Sequence, residues 1–443
     1  MGLVHLGLGG FFRAHQAWYT EHAGDAGEWG YAAFAGRSAG LAERLQDQDG
    51  LYTLLERGPE RDTAQLIASV SEARPGADHA GWRACVASAR VVAITVTVTE
   101  AGYCRGPDGG LDVSRADVAA DLARLRSDLA APVATAPARL LAGLAARREA
   151  DGGPLALVSC DNLPANGALA GRVVCDLARL VDPTLIEWID RSLAVVTTVV
   201  DRITPRAGSA EKEAAARATG RRDEAPVVTE PFSEWVLAGE FPAGRPRWED
   251  AGAIFTDDVS AYEHRKLWLL NGSHSLLAYA GSVLGHRRVA EAFGDDRCRG
   301  WVEHWWTIAG AQLDQAPGEI TTYKEALVGR FANRRMQDEL ARIAEDGSQK
   351  LPVRVLPVLR AERAAGRLPT AGTRIVAAWL CHLRGLGVPV RDVCADELVP
   401  LAAGPVADAA RRLLEALDPE LGSDKAVVTT VAEQCRELSG ALQ

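Results

Sequence analysis

Residues 4–13 read VHLGLGGFFR, an apolar run that leads into closely spaced glycines and then into a second apolar run. The pattern predicts a buried β-strand, a tight turn at Gly7 and Gly9, and a helix that begins near Gly10. Glycines at such a turn let the backbone approach a pyrophosphate, which then lies at the N-terminus of the helix. Phe12 stands where the usual third glycine would be. The stretch favours a dinucleotide-binding α/β fold over its alternative, an ordinary tight turn.

The first 260 residues alternate strand-like and helix-like segments. The strand candidates are residues 4–8, 31–35, 91–99, 155–160 and 195–200, with helical stretches such as 117–130, 138–150 and 168–180 between them. Beyond residue 258 the chain offers a series of helical segments at 262–283, 297–312, 324–345, 373–384 and 406–417. We therefore predict an α/β fold: a Rossmann-type dinucleotide-binding domain with a mainly parallel sheet at residues 1–260, and an all-helical substrate-binding and catalytic domain at residues 261–443.

The composition argues against several classes of protein. A net charge of −10 disfavours a general nucleic-acid binder, and no apolar stretch approaches the roughly 20 residues of a membrane span. The eight cysteines form no C-x-x-C pair and no H-E-x-x-H motif occurs, so we expect reduced thiols and no metal. The chain starts with a strand-like run instead of a signal peptide, which predicts a cytoplasmic protein. The sequence does not reveal the oligomeric state.

Lysine is rare in this chain, because only five of the 49 basic residues are Lys. A buried lysine can lose its proton and act as a base, which an arginine cannot do. Lys266 opens the run KLWLLNGSH at residues 266–274. In an ideal α-helix Asn271 lies about 140° and His274 about 80° around the axis from Lys266, so all three can face one cavity. The alternative is a solvated lysine beside two polar residues on a helix surface.

Polar residues also follow three of the predicted strands: Thr99 and Glu100, Asp161 and Asn162, and Asp201. Open parallel sheets bind ligands at the carboxyl edge of their strands, so these residues are candidates for a site. The alternative is that they are turn formers or ion pairs.

The second predicted strand ends in AGRSAG at residues 35–40. An acidic residue there would bind the ribose of NAD, whereas an arginine suits the 2′-phosphate of NADP. No acid appears before Glu43, so the cofactor is predicted as NAD or NADP without a preference. The candidate cofactor-binding residues are Gly7, Gly9, Gly10, Phe11, Arg13, Arg37, Ser38, Thr99 and Glu100.

These motifs together resemble the long-chain mannitol dehydrogenase family, which includes polyol dehydrogenases and the sugar-acid enzyme fructuronate reductase. The similarity spans essentially the whole chain: GLGGFFRAHQ at 7–16, QDGLY at 48–52, TEAGY at 99–103, SCDN at 159–162, VDRITP at 200–205, EPF at 230–232 and DGSQKLP at 346–352. The spacing Lys266-x4-Asn271-x2-His274 matches the family's signature. Two departures are Phe12, where the family commonly has His, and residues 39–40, where NAD-preferring members tend to have an acidic pair.

The resemblance implies an NAD(P)-dependent secondary-alcohol dehydrogenase that works without a metal. Its substrate would be a small sugar alcohol or sugar acid. The enzyme would interconvert a C6 polyol or aldonate and its 2-ketose, either mannitol and fructose or mannonate and fructuronate. Hydride would pass to the nicotinamide while Lys266 acts as the general base.

The resemblance also assigns roles to other residues. Asn162 and Asn271 would hydrogen-bond the developing alkoxide, and His274 would hold the reacting oxygen. The remaining assignments are Glu263 for a proton path to the lysine, Asp201, Arg342 and Lys350 for substrate hydroxyls, and Arg354 for the carboxylate of a uronate.

Two other functions are open at this point. A 3-hydroxyacid or 6-phosphogluconate-type dehydrogenase also couples a Rossmann domain to helices and a catalytic lysine, and a dinucleotide-sensing protein would bind the cofactor without catalysis. Tyr262 and Lys266 also match the Y-x-x-x-K pair of short-chain dehydrogenases. That pair, however, belongs inside the single Rossmann domain of much shorter proteins.

Overall fold

The computed structural model describes residues 2–36 and 40–440 of the chain. Arg37 and Ser38, both predicted to bind the cofactor, therefore lie outside the described residues. The chain divides between Val259 and Ser260 into two compact units, which we call unit 1 and unit 2.

Unit 1 contains both strands and helices. Its strands are β1 (Leu3–Leu6), β2 (Tyr31–Phe34), β3 (Tyr52–Arg57), β4 (Asp62–Ile67), β5 (Val70–Arg74), β6 (Ala93–Val96), β7 (Leu155–Ser159), β8 (Leu193–Asp201), β9 (Val227–Thr229), β10 (Glu234–Ala238) and β11 (Ile254–Phe255). Its α-helices are α1 (Gly10–Ala14), α2 (Gln16–Glu21), α3 (Gly40–Gln46), α4 (His79–Ala87), α5 (Ala116–Ser127), α6 (Ala136–Glu149), α7 (Asn166–Val181), α8 (Thr184–Ser192) and α9 (Ser209–Thr219). Single-turn 3₁₀-helices lie at Ala26–Glu28, Glu100–Tyr103 and Trp248–Ala251.

The main sheet of unit 1 has eight strands within the described residues, in the order β11-β10-β8-β7-β6-β1-β2-β5. All neighbours pair in parallel except β8 and β10, which are antiparallel. From β1 the chain proceeds outward through β2 and β5, then returns to β6 and continues through β7 and β8. This is the doubly wound order of a Rossmann fold, with its switch point between β1 and β6. The predicted α/β fold with a mainly parallel sheet is confirmed.

The central strands read as continuous apolar runs because hydrophobic cores cover both faces of the sheet. Leu3 and Tyr31 point into one core, and Val4, Leu6 and Phe34 point into the other. Side chains along a strand alternate in direction, so both sets of residues must be apolar.

His5 is the polar exception in the middle of β1, where it is fully buried. Its Nδ1 lies 2.8 Å from the Thr95 hydroxyl and its Nε2 3.0 Å from the Thr97 hydroxyl. Burial lowers the pKa of His5 to about 3, so the ring is neutral at physiological pH. The ring stacks on Phe12 with centroids 3.6 Å apart. Phe12, the family departure noted in the sequence, therefore completes a packed stack beneath the glycine turn.

Gly7 is the position in this turn where only glycine fits. Its φ is +114°, and a Cβ there would lie 2.0 Å from the carbonyl oxygen of Thr97. The Gly7 N–H donates to the carbonyl of Phe34 at 3.0 Å, and its carbonyl accepts from the Thr97 hydroxyl at 3.0 Å. The turn is thereby fixed between the ends of β2 and β6.

A second, three-stranded sheet in the order β4-β3-β9 does not appear among the predicted strands. Its strand β4 carries polar residues on largely exposed positions, and β9 is three residues long. Neither has the apolar run on which strand prediction depends.

Unit 2 is helical, and no strand occurs in its described residues, 260–440. Its α-helices are α10 (Ser260–Arg265), α11 (Gly272–Leu276), α12 (Val289–Phe293), α13 (Asp296–Gly310), α14 (Pro317–Ala332), α15 (Leu340–Ile343), α16 (Gly347–Arg354), α17 (Leu356–Ala364), α18 (Thr370–Leu383), α19 (Ala395–Leu401), α20 (Val406–Leu417), α21 (Pro419–Ser423) and α22 (Lys425–Gly440). Two π-helical segments, Lys266–Asn271 and Leu277–Gly281, continue the helix that α10 begins. The predicted all-helical C-terminal part is confirmed.

One predicted helix of unit 2 is wrong in its extent. Residues 324–345 are not continuous, because α14 ends at Ala332 and α15 begins at Leu340. Asn333 leaves the helical conformation with ψ of 95°, and its side-chain oxygen accepts from the N–H of Arg335 at 3.1 Å. Asparagine often ends helices in this way, since its side chain competes for main-chain donors.

The described residues contain no helix with the length and apolar character needed to cross a bilayer. Within the same residues, no cluster of three or more His, Cys, Asp or Glu side chains is placed to hold a metal ion.

We predict that Gly7→Ala destabilises the protein by about 2 to 6 kcal/mol, because it combines a strained φ with a steric overlap. Gly27→Ala is the matched control, since a Cβ at Gly27 would meet no atom of the described residues within 4 Å. Urea unfolding followed by circular dichroism measures both. Equal stability of the two variants would contradict the tight packing of the turn.

Candidate active site

In unit 1 the sequence-predicted polar residues meet at one edge of the main sheet. Parallel strands share a direction, so the ends of β1, β6, β7 and β8 all lie at the carboxyl edge. Thr99 and Glu100 follow β6, Asn162 follows β7, and Asp201 is the last residue of β8. Asn162, Thr99 and Glu100 are exposed, whereas Asp201 is buried. Glu100 also pairs with Arg105 at 2.5 Å.

The glycine turn after β1 has the features that a dinucleotide requires. It lies at the switch point of the sheet, where such folds bind ligands. Among the described residues, a Cβ at Gly9 would meet only the Gly7 carbonyl, at 3.4 Å, and one at Gly10 only the Thr204 methyl, at 3.6 Å. These two glycines are therefore not required by crowding within the protein, and they leave room for a close ligand. Phe11, predicted to contact the cofactor, is partly buried beside them. The turn fits the pyrophosphate of NAD or NADP.

Arg13, a predicted cofactor-binding residue, makes contacts inside unit 1 that the sequence did not indicate. The side chain is buried, and its guanidinium donates to the carbonyls of Gly9, at 3.1 Å, and of Ala225. The same group lies over the Tyr52 ring at 5.2 Å, while the Tyr52 hydroxyl donates to the Arg13 carbonyl at 2.6 Å. Burial lowers the pKa of Arg13 to about 10. Arg13 braces the glycine turn from within unit 1.

The loops after β6 and β7 are joined by Tyr103. Its hydroxyl donates to Asp161 Oδ2 at 2.5 Å and also contacts the Ser159 hydroxyl. Asp161 was among the polar residues predicted at this edge, whereas Tyr103 appeared only within the TEAGY motif, and neither had a predicted role. The polar residues on either side of Asn162 were the feature of the sequence that could have indicated such roles.

In unit 2, Lys266, Asn271 and His274 lie on one continuous helix, but not with the α-helical spacing that we predicted. Residues 266–271 form a π-helical segment, in which the N–H of Gly272 bonds to the carbonyl of Leu267, five residues earlier. The expected α-helical angle of about 140° between Lys266 and Asn271 does not apply here, because i→i+5 bonding widens the turn and reduces the angle between residues five apart. π-Helical segments of this kind are rare and are found frequently at functional sites.

The widened turn is held by side chains from a neighbouring helix. The indole N–H groups of Trp305 and Trp306, on α13, donate to the carbonyls of Trp268 at 2.7 Å and Leu269 at 3.0 Å. The Ser273 hydroxyl also donates to the Leu269 carbonyl, at 2.6 Å. These donors satisfy main-chain oxygens where the regular helical ladder is disturbed.

The helix α16 packs against the same region and carries two predicted substrate-binding cations. Arg354 reaches Ser275, next to His274 in the chain, with a nitrogen-to-oxygen distance of 3.4 Å. The ammonium group of Lys350 donates to the carbonyls of Ile343, at 3.3 Å, and of Glu345. Through these hydrogen bonds Lys350 stabilises the loop that joins α15 to α16.

The other two predicted residues of unit 2 lie nearby on the same scaffold. Arg342 is exposed on α15, which packs against the second π-helical segment, Leu277–Gly281. Glu263 is partly buried on α10, three residues before Lys266. Unit 2 therefore groups its predicted residues around one helix and the two short helices packed on it.

Comparison with known proteins gives the family. The mannitol dehydrogenase Rossmann domain matches residues 1–250, and the mannitol dehydrogenase C-terminal domain matches residues 258–438. The mannitol 2-dehydrogenase of Cereibacter sphaeroides is 34% identical over 394 residues, covering 87% of this chain and 81% of that protein. The D-mannonate oxidoreductase of Escherichia coli (strain K12) is 34% identical over 401 residues, covering 87% of this chain and 80% of that protein. Mannitol 2-dehydrogenase from Pseudomonas fluorescens, solved as a ternary complex with NAD and D-mannitol, aligns with a TM-score of 0.80 and 32% identity over 100% of this chain and 92% of that one. The chain belongs to the mannitol dehydrogenase family.

Proposed function

We propose that this protein is an NAD(P)-dependent oxidoreductase that interconverts the secondary alcohol of a C6 polyol or aldonate with the corresponding 2-ketose. The observation that carries the proposal is the π-helical segment Lys266–Asn271 of unit 2, whose wider turn favours a smaller angle between Lys266 and Asn271 than an α-helix would give. Family membership supports the same reaction class.

Lys266 is assigned as the general base. It is partly buried at the start of the π-helical segment, whose residues Leu269 and Leu270 are buried. In the oxidation its amine takes the proton of the substrate hydroxyl, and in the reduction its ammonium returns that proton. Glu263 lies three residues earlier on the same helix, and we assign it the path by which the proton leaves Lys266.

Amide groups are assigned to the reacting oxygen. The carboxamides of Asn271 in unit 2 and Asn162 in unit 1 each offer N–H donors, which stabilise an alkoxide more than the neutral alcohol. His274 follows Asn271 by three residues and would hold the same oxygen. Asp201, Arg342 and Lys350 would bind the remaining hydroxyls of the substrate.

The cofactor would be held by the glycine turn of unit 1. Gly7, Gly9, Gly10 and Phe11 would meet the pyrophosphate, and Thr99 with Glu100 would follow it along the carboxyl edge. When bound there, NAD(P) would supply the hydride chemistry at the carbinol carbon of the substrate.

Arg354 supports an acidic sugar as the substrate. Within the described residues it forms no ion pair, and its one hydrogen bond goes to Ser275. Burial lowers the pKa of Arg354 to about 10, which leaves the guanidinium charged at neutral pH. A buried cation without a carboxylate partner is costly unless a ligand anion supplies one. Arginine can bind a carboxylate through two parallel hydrogen bonds, and a uronate provides one.

We predict that Lys266→Met lowers kcat by about 100-fold or more, because it removes the proton acceptor. Cofactor affinity, measured by quenching of protein fluorescence, is expected to stay within about 3-fold, since the cofactor would bind to unit 1. Lys425→Met is the matched control, because Lys425 is an exposed lysine at the start of α22. Near-wild-type turnover of Lys266→Met at any pH would exclude this lysine as the base.

The reaction itself is tested with fructose, fructuronate, tagaturonate and fructose 6-phosphate, each with NADH and with NADPH. We expect oxidation of the reduced cofactor with an unphosphorylated ketose or ketouronate. No oxidation with any combination would favour a dinucleotide-sensing protein instead. A preference for fructose 6-phosphate would contradict the assignment of Arg354 to a carboxylate.

We predict that Arg354→Met lowers kcat/KM for fructuronate by about 100-fold and changes that for fructose by less than about 3-fold, because only the uronate loses a charge-assisted hydrogen bond. Arg411→Met is the control, since Arg411 pairs with Glu415 at 3.0 Å on the remote helix α20. Equal losses of kcat/KM for both ketoses would indicate that Arg354 stabilises the packing of α16 and does not bind the carboxylate of the substrate.

A further inference from the structure

The SCDN and TEAGY motifs contain residues that the proposed reaction does not use. Tyr103 is fully buried and Asp161 is partly buried, although both lie beside the exposed carboxyl edge of the sheet. Asp161 immediately precedes Asn162, the residue assigned to the alkoxide. Tyr103 ends the 3₁₀-helix Glu100–Tyr103, whose first residue is assigned to the cofactor.

A directed chain of hydrogen bonds connects these motifs. Tyr103 has a single hydroxyl proton, and it donates this proton to Asp161 Oδ2 at 2.5 Å. The contact between the Ser159 and Tyr103 hydroxyls is therefore made by the Ser159 proton. Tyr103 thus joins Ser159 and Asp161, at the end of β7, to the segment that follows β6.

The main chain around Asp161 is fixed from the other side by Asn166, the first residue of α7. Its side-chain nitrogen donates to the Asp161 carbonyl at 2.8 Å and to the Thr198 carbonyl at 2.8 Å. Its side-chain oxygen accepts from the Thr198 N–H at 3.0 Å. The turn that displays Asn162 is therefore tied to β8 by Asn166 and to the segment after β6 by Asp161.

We propose that Asp161 and Tyr103 are positioning residues, whose hydrogen bond holds the turn carrying Asn162 in register with the segment carrying Thr99 and Glu100. The inference rests on the proposed function, because it takes Asn162 as an alkoxide donor and Thr99–Glu100 as cofactor contacts. The hydrogen bond between Tyr103 and Asp161 would connect the segment that binds the alkoxide with the segment that binds the cofactor. Displacing an aligned donor by about 1 Å can lower turnover by about 100-fold.

The protonation of Asp161 makes the link dependent on pH. Burial raises the pKa of Asp161 to about 7, and the hydrogen bond from Tyr103 opposes that rise. The titratable groups that face it are Tyr103 and the neighbouring buried thiol of Cys160; among the described residues no charged side chain forms an ion pair with it. The ionised carboxylate accepts stronger hydrogen bonds than the neutral acid. The hydrogen bond between Tyr103 and Asp161 is therefore strongest above about pH 7 and weakens below that pH.

The effect on stability has the opposite sign. The pKa of Asp161 is about 7 in the folded protein, against an ordinary value of 3.8, so the folded state binds the proton more tightly than the unfolded state. The stability contributed by this group falls as pH rises from 3.8 to about 7, and it is constant above that. The side chain of the Asp161→Asn variant does not titrate, so this variant does not lose that stability as the pH rises.

The test compares Tyr103→Phe, Asp161→Asn and the control Tyr31→Phe. Tyr31 is also fully buried in unit 1, but it opens β2 at the opposite edge of the sheet, and its hydroxyl makes a long bond of 3.4 Å to Thr20. We expect Tyr103→Phe to lower kcat by about 10- to 100-fold while KM for the cofactor changes less than about 3-fold. Tyr31→Phe should stay within about 2-fold of wild type.

Asp161→Asn separates positioning from titration. The amide oxygen still accepts from Tyr103, so kcat at pH 8 should stay within about 5-fold of wild type. The fall in wild-type kcat below about pH 7 should be absent from the kcat profile of this variant. In parallel, the Tm of Asp161→Asn minus that of wild type should increase between pH 5 and pH 8.

Other outcomes overturn the inference. A Tyr103→Phe variant that resembles Tyr31→Phe in kcat, or that loses only Tm, would show that the Tyr103–Asp161 hydrogen bond is a packing contact without a positioning role. An Asp161→Asn profile that keeps the wild-type step near pH 7 would assign that step to another group. Wild-type protein that turns over no ketose of the panel refutes the proposed function, and the inference falls with it. Active wild-type protein with an unaffected Tyr103→Phe variant refutes the inference alone.

Discussion

Two indole N–H groups set the geometry on which the site of unit 2 depends. Trp305 and Trp306 bind carbonyls of the π-helical segment, and an unsatisfied buried carbonyl would cost about 1 to 3 kcal/mol. Gly272 lets α13 approach this closely, because a Cβ there would lie 2.6 Å from the Trp305 nitrogen. The pitch of the helix follows from this contact, and with it the side on which Asn271 stands relative to Lys266. The proposed base and oxyanion donor are thus arranged by residues to which the proposal assigns no contact with substrate or cofactor.

Unit 1 uses a different constraint, the common direction of its parallel strands. Every turn at the carboxyl edge must satisfy its own polar groups without a covering strand, and buried side chains supply the partners. His5 bonds the Thr95 and Thr97 hydroxyls below the glycine turn, and Tyr103 joins Ser159 to Asp161 below Asn162. The buried polar groups beneath this edge are thus paired within unit 1, as buried polar groups generally are.

The two cations on α16 show how environment separates residues of the same charge. The ammonium group of Lys350 is engaged by two main-chain carbonyls, whereas Arg354 has one long bond to a hydroxyl and no ion pair within the described residues. Both groups are shifted by burial toward a lower pKa, and each cation lies in the field of the other. An anionic substrate group would relieve this repulsion, while a neutral polyol would not.

The sequence by itself determined the class of fold and the identity of the candidate residues. The apolar runs around the glycine turn and the spacing from Lys266 to His274 are local patterns. They can be recognised in the sequence without knowledge of distant contacts. Tertiary structure decided how those residues are used. The widened turn depends on indoles 37 residues away, and the inward course of Arg13 depends on a carbonyl 212 residues away. The three-stranded sheet of β4, β3 and β9 was missed because its apolar runs are short, as in β9, or interrupted by polar residues, as in β4. Hydrogen-bond partners that come from remote segments leave no periodicity in the chain, so only the folded protein reveals them.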